Sequence, residues 1–217
     1  LYRNNYRVVG AEELMDDNRK WKSEDGKAKI DPRPKVVITF DDGYKDNYTN
    51  AYPILKQYGF KATIFLTTAN IGQDKDFLDW PQIKEMSQDG IAFGSHTLTH
   101  PNLCSLSIAD IKKELSASKK ILEQKLNKPI EFFCYPRGYF NATIQSLVSE
   151  AGYRLAFSVI PGENVIGDDP YAIKRIQIGN KDSLWDFRNK IKGRYLPFQK
   201  YLYRKNILEV IEESKHG

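Results

Sequence analysis

Val36-Val37-Ile38-Thr39-Phe40-Asp41-Asp42-Gly43-Tyr44 reads as a strand that ends in acid. Five β-branched or aromatic residues run into two adjacent carboxylates and a glycine, the pattern of a buried strand whose C-terminal end delivers acidic groups to a surface. Neighbouring side chains on a pleated strand point to opposite faces. Asp41 and Asp42 can therefore serve one site only if the chain turns there, and Gly43 permits such a turn. Barrels and open α/β sheets place their chemistry at strand ends of this kind. A solvated turn is the plainer alternative, since Asp-Gly is a common turn pair.

The same alternation continues on either side. Lys61–Thr68, Gly90–Ser95, Phe132–Tyr135, Ala156–Val159 and Ile173–Ile178 read as further strands. Between them, helices are expected at Asn47–Tyr58, ended by Gly59, and at Asp79–Met86, with Asp79 as cap and Pro81 in the first turn. Two more are expected at Ser107–Leu126, where Ser107 and Asp110 form a capping pair, and at Ala142–Ala151, closed by Gly152. Strands alternating with helices imply parallel βα units in one α/β domain, as a barrel or an open sheet. Residues 1–35 read as a peripheral segment, with an edge strand at Val8–Gly10, a short helix from Ala11 and a polar loop from Lys22 to Pro34. Residues 36–180 form the core. Residues 181–217 read as a basic, aromatic helical segment packed on it, interrupted at Gly193 and Pro197.

The 217 residues suffice for one domain with a sizeable core. Hydrophobic residues make up 41% and charged residues 28%, an ordinary globular balance. The 13 Tyr, 11 Phe and 3 Trp offer stacking surfaces for sugars, or core filling. A net charge of +5 with no recognition motif argues against nucleic acid as a partner. Cys104 and Cys134 are too few for a disulfide scaffold and leave either one bridge or two free thiols. No apolar run approaches the roughly 18 residues of a membrane span. The sequence opens on Leu1 rather than Met, which reads as a processed form whose export signal or anchor lies outside it.

Of the three histidines, His96 and His100 stand four apart just after a strand, while His216 is near the end. That spacing puts two imidazoles on one side of a helical turn, able to grip one ion. The third ligand of a catalytic site is commonly a carboxylate, and Asp41 and Asp42 are the nearest source by pattern. One acid would bind metal and the other act as base. A structural or exposed histidine pair is the alternative.

Thr39-Phe40-Asp41-Asp42-Gly43-Tyr44 followed by Ser95-His96-Thr97-Leu98-Thr99-His100-Pro101 resembles the polysaccharide deacetylase family, the NodB-homology domain, over about residues 34 to 180. The resemblance implies a distorted, incomplete (β/α) barrel of about seven parallel strands. It implies a divalent metal, usually Zn2+ with Co2+ or Ni2+ as substitutes, and hydrolysis of N-acetyl groups on amino sugars. By motif position Asp41 would be the general base, and Asp42, His96 and His100 the metal ligands. Tyr135-Pro136-Arg137-Gly138 resembles a further motif, in which the backbone N–H of Arg137 would serve the oxyanion. Asp79-Trp80 resembles a groove-lining pair, with helix capping and core packing as the alternative. Tyr44, Tyr135 and Tyr139 would lie on the active rim, where each could stack on sugar or simply pack.

Two departures stand out. Many relatives carry an arginine where this chain has Cys134, and a late histidine where Arg175-Ile176-Gln177-Ile178-Gly179-Asn180 has none. Slow turnover is expected. The absent histidine is typical of the subgroup acting on β-1,6-linked poly-N-acetylglucosamine in biofilms. The expected partner is thus an N-acetylglucosamine polymer, and the expected place is outside the cell or at the cell envelope, as a monomer. Peptidoglycan or chitin oligomers, a small non-sugar amide, or a carbohydrate-binding protein without turnover are the alternatives. The basic segment Lys190–Lys205 reads as a solvated face, or as a contact to anionic envelope polymers or lipid headgroups.

Overall fold

The computed structural model describes residues 1, 5–15, 21–22, 28–29, 33–165 and 167–203. His216, Arg204 and Lys205 lie outside the described residues. In chain order the strands are Arg7–Val9 (β1), Trp21–Lys22 (β2), Ala28–Lys29 (β3), Lys35–Val37 (β4), Thr39–Phe40 (β5), Thr63–Leu66 (β6), Ala92–Ser95 (β7), Phe132–Cys134 (β8), Leu155–Pro161 (β9) and Ile173–Arg175 (β10). The helices are Tyr52–Tyr58 (α1), Trp80–Gln88 (α2), Ile108–Leu126 (α3), Ala142–Glu150 (α4) and Leu184–Ile191 (α5).

Six strands form one parallel sheet in the order β10-β9-β8-β7-β6-β5. Helices α1 to α4 supply the crossovers between successive strands from β5 to β9. The sheet curls without closing, which makes a single-domain, distorted and incomplete (β/α) barrel. A second parallel pair, β1 with β4, stands just ahead of β5, and β2 pairs antiparallel with β3, so that Lys22, Ala28 and Lys29, expected in a loop, lie in strands together with Trp21.

Strand alternation sorts the core into two layers. Ile64, Leu66, Phe93, Phe133, Tyr135 and Ala156 face the helices and pack with Leu55, Ile83, Leu115 and Val148. The intervening residues Phe65, Phe132, Cys134, Leu155, Phe157 and Ile173 make the other layer. Ala11, fully buried on a short 3-10 turn, belongs to that inner layer, with Met15 packed against it. The N-terminal segment thus contributes to the core as well as to the edge.

Local chemistry explains the boundaries. The chain from Asn47 to Ala51 winds as a π-helical turn before α1 begins, so Pro53, which lacks an N–H, falls in the first α-turn. Gly59 ends α1 in the left-handed conformation. Ser107 caps α3 and Asn141 caps α4, each accepting from a backbone N–H three residues on. After α5, Gly193 adopts φ +71°, and helix resumes over 196–203 with Pro197 in its first turn. No helix among the described residues is long and apolar enough to cross a membrane.

Candidate active site

The β5 strand ends in a turn that separates its two acids. Asp42 and Gly43 are both left-handed, at φ 69° and 77°, and Gly43 N–H returns to the Asp41 carbonyl at 2.9 Å. Any larger residue at 43 would collide with Leu66, whose Cδ2 lies 2.6 Å from where a Cβ would stand. The turn sends the two carboxylates to different neighbours.

Asp42 Oδ1 lies 3.5 Å from His96 Nε2 and 3.4 Å from His100 Nε2. The two imidazoles meet edge to face with centroids 4.8 Å apart. They do not converge on a helical turn, as the spacing alone suggested. The chain bends instead, because Thr97 and His100 take left-handed φ of 71° and 62°. His96 Nδ1 is 2.7 Å from the Cys134 carbonyl, which accepts only if that nitrogen carries the proton. Its Nε2 lone pair is then free to face Asp42. Burial pushes the His96 pKa below its ordinary value against the pull of Asp41, so the ring is neutral, the form that binds metal.

This donor set suits a divalent ion. Tetrahedral ligands at about 2.0–2.1 Å from zinc stand about 3.3 Å apart, close to the separations around Asp42. The nitrogens and carboxylate of Asp42, His96 and His100 all lie within 4.8 Å of one another.

Asp41 also stands beside His96, with a carboxylate oxygen within 4.8 Å of a ring nitrogen, but its hydrogen bonds run into a layer that the sequence reading missed. Arg175 on β10 grips it with both terminal nitrogens, Nη1 to Oδ1 at 2.7 Å and Nη2 to Oδ2 at 2.9 Å. Arg175 Nε donates to the Ser158 carbonyl at 2.6 Å, and Nη1 also reaches Thr39 Oγ1 at 3.3 Å. Cys134 fills the space beneath, with Sγ 3.3 Å from Arg175 Nη2 and 3.6 Å from Asp41 Oδ1. Burial alone would raise the Asp41 pKa. The hydrogen bonds and charge of Arg175 outweigh it and hold the carboxyl below its usual value. The Cys134 thiol is pushed well above its usual value by burial and by Asp41, so it stays protonated. Both cysteines are free, Cys104 exposed and Cys134 buried. The only sequence signal for Arg175 was its place on the strand where a histidine was sought.

The remaining candidates divide. Tyr135 is 1% exposed, so it cannot stack on a sugar. It follows the inward Cys134 and so points to the helix side, where it stacks on Phe140 at 4.5 Å and donates to the Tyr171 carbonyl at 2.9 Å. Tyr44 is half exposed on the Asp42 turn and stacks on Phe77 at 5.1 Å. The charge of Asp42, first, raises its pKa. Tyr139 is partly exposed beyond the Pro136–Gly138 turn. Arg137 in that turn is exposed and left-handed at φ 57°. Asp79 caps α2 in a reciprocal box with Gln82, at 2.9 and 3.1 Å, and Trp80 is partly buried with Lys125 Nζ 5.5 Å over its ring.

Comparison with known proteins fits this geometry. A family model described as polysaccharide deacetylase matches residues 28–156. The chain is 38% identical over 143 residues to YxkH of Bacillus subtilis (strain 168), named for polysaccharide deacetylases, covering 66% of this chain and 51% of that protein. It is 32% identical over 162 residues to a poly-beta-1,6-N-acetyl-D-glucosamine N-deacetylase of Staphylococcus aureus (strain MRSA252), covering 69% and 56%. The chain thus spans about half the length of these curated relatives. Among solved structures, the Streptococcus pyogenes deacetylase PplD in complex with acetate superposes with a TM-score of 0.75 at 28% identity, over 87% of this chain and 80% of that one. With more than half of its residues matched by the family model, the chain belongs to the polysaccharide deacetylase family.

Proposed function

We propose that this chain is a metal-dependent de-N-acetylase that hydrolyses acetamides on N-acetylglucosamine units of a polysaccharide, with poly-β-1,6-N-acetylglucosamine as the leading substrate. The observation that carries the reading is the pairing of two acids with two fates: Asp42 beside His96 and His100, and Asp41 locked to Arg175. Asp42, His96 and His100 would hold the ion, zinc first. A bound divalent ion supplies Lewis acidity toward an acetamide carbonyl, a poor electrophile without it.

The chain's own residues do the rest. Asp41 is ionised at working pH; Oδ1 takes both Arg175 and the Cys134 thiol, while Oδ2 takes Arg175 alone and keeps a lone pair for a proton. It takes the proton of the attacking water. The N–H of Arg137 donates to the oxygen on which charge develops. With no histidine in Arg175–Asn180, protonated Asp41 is the chain's donor to the leaving amine. An acid held by an arginine is a weak base, so turnover is slow. Tyr44 and Tyr139 are the aromatic rings available to a sugar at the rim. The β-1,6 linkage is supported by the activity for which the Staphylococcus aureus relative is named and by the missing histidine. A polymer of that kind lies outside the cell or in its envelope, and so would this protein.

The test is release of free amines from β-1,6-linked N-acetylglucosamine oligomers by zinc- or cobalt-loaded protein, with Asp41→Asn as control. Release by the wild type alone supports the reading. Release only from chitin or peptidoglycan fragments would move the substrate within the same chemistry. Silence on all three, with metal bound, would favour a carbohydrate-binding protein.

A further inference from the structure

The loop between the two histidines is strained. Thr97 is β-branched yet sits at φ 71°, a region such residues rarely occupy, and His100 sits at 62°. Nothing intrinsic to Thr97-Leu98-Thr99 favours this shape, so its surroundings must impose it. Part of the restraint is local. Thr97 N–H donates to Ser95 Oγ at 3.2 Å, and His100 N–H donates to Thr97 Oγ1 at 3.0 Å. Part comes from the neighbouring crossover, where Thr68 N–H and Ala69 N–H reach the carbonyls of Thr97 and Leu98 at 3.3 and 2.9 Å.

The rest comes from one side chain on α3. Glu114 Oε2 accepts from Leu98 N–H at 2.8 Å and from Thr99 N–H at 2.9 Å, while Oε1 accepts from Thr99 Oγ1 at 2.8 Å. These are charge-assisted bonds to two consecutive amides, and both lie between the imidazoles. The helix behind them is anchored: Ser118, one turn on, is buried and its Oγ stands 2.7 Å from Ser95 Oγ at the end of β7.

We infer that Glu114 is a positioning residue for the metal centre. Its carboxylate clamps the strained loop so that His96 and His100 present their Nε2 atoms to one point. The inference rests on the metal-binding reading of Asp42, His96 and His100. Groups that orient metal ligands typically contribute about 10- to 100-fold in affinity.

The experiment titrates metal-free protein with Co2+ alone, reading its visible absorption, for the wild type, Glu114→Ala, Glu114→Gln and Lys112→Ala. Lys112 lies on the same helix and pairs with Glu150 at 3.4 Å, away from the loop. Amide exchange of the metal-free proteins is followed in parallel. The expected result is Co2+ affinity weakened about 10- to 100-fold in Glu114→Ala, with an altered spectrum. Glu114→Gln, which keeps one acceptor oxygen, should fall between, and Lys112→Ala should match the wild type. Amide protection at Leu98 and Thr99 should be lost in Glu114→Ala while β6 and β7 keep theirs. Wild-type affinity and spectrum in Glu114→Ala would overturn the inference. So would loss of protection throughout α3 and the sheet in both Glu114 variants, which would make Glu114 a folding residue. Failure of the wild type to bind Co2+ would instead overturn the metal-binding reading beneath it.

Discussion

Arg175 and Asp41, 134 residues apart, meet in a two-pronged ion pair at the mouth of the half-barrel. The pair joins the first strand of the six-stranded sheet's chain order to the last, β5 to β10, which are its two edges. The arginine's other donors are met locally, and Asp41 keeps acceptor capacity on Oδ2. Arg175 also bonds the Ser158 carbonyl and Thr39 Oγ1, and Cys134 packs under both.

Because the fork is planar and bidentate, lysine should not replace it. Arg175→Lys keeps the charge but can satisfy only one Asp41 oxygen at a time. Arg175→Met removes the charge and leaves Asp41 with little but the thiol. Both should lose activity, the methionine variant more. Asp41 is about a third exposed, so the stability loss in Arg175→Met should be modest, about 1–2 kcal/mol. Kinetics with urea unfolding on the two variants checks this. Full activity in Arg175→Met would remove Arg175 from the site.

The two adjacent acids should give opposite phenotypes. Asp42→Asn and His100→Ala each remove one donor of the proposed ion and should abolish both metal binding and amine release. Asp41→Asn leaves the three donors intact and should bind metal while losing at least about 100-fold in turnover, the range of a general base. Metal content after dialysis, measured beside activity, reads both at once. If Asp41→Asn lost the metal and Asp42→Asn kept it, the roles would be exchanged.

Much of this was legible in the residues themselves. Asp41-Asp42-Gly43 announced a strand-end turn, and Gly43 suits it because its φ of 77° strains any side chain and the Leu66 Cδ2 crowds the place of a Cβ. Asp79, Ser107 and Gly59 marked helix ends through chemistry that acts within a few residues. What stayed hidden depends on long-range placement. Arg175 becomes a partner of Asp41 only because the sheet curls enough to bring its edges together, and no local pattern encodes that curl. Tyr135 looked like a rim aromatic because it adjoins the Pro136 turn. Alternation along β8 sends it to the helices instead, once Cys134 is known to face inward. The bend between His96 and His100 was missed for a related reason, since positive φ at Thr97 goes against its own preference.

Tyr135 therefore offers a clean test of the correction. Its hydroxyl is pushed above the ordinary tyrosine range, chiefly by burial, and donates to the Tyr171 carbonyl. Tyr135→Phe keeps the ring stacked on Phe140 and loses only that bond. It should lower stability by about 1 kcal/mol, or about 2–4 °C in Tm for a chain of this size, with kcat and KM unchanged. A KM that rose several-fold at unchanged Tm would return Tyr135 to the sugar groove.

The region beyond β9 should be one acid-sensitive part of the fold, beside Asp41 and Asp89, whose pKa values are also lowered. Asp168, Asp182 and Asp186 are all held below the ordinary aspartate value, first by hydrogen bonds from Lys174, Lys190 and Ser183 respectively. Lys174 Nζ stands 2.8 Å from Asp168, and Lys190 Nζ stands 2.7 Å from Asp182. A carboxyl whose folded pKa lies below its unfolded value, about 3.9, binds protons more readily in the unfolded chain. Its contribution is therefore complete above about pH 4 and fades as pH falls through the folded value. Tm should hold between pH 7 and pH 5 so far as these groups decide it, then decline below pH 4. Because the groups are partly exposed, salt should shrink their share. In Asp168→Asn/Asp182→Asn the Tm at pH 7 should be lower and the decline below pH 4 shallower. Thermal melts across that range compare the slopes. Equal slopes in the variant and the wild type would show that these pairs carry none of the acid sensitivity.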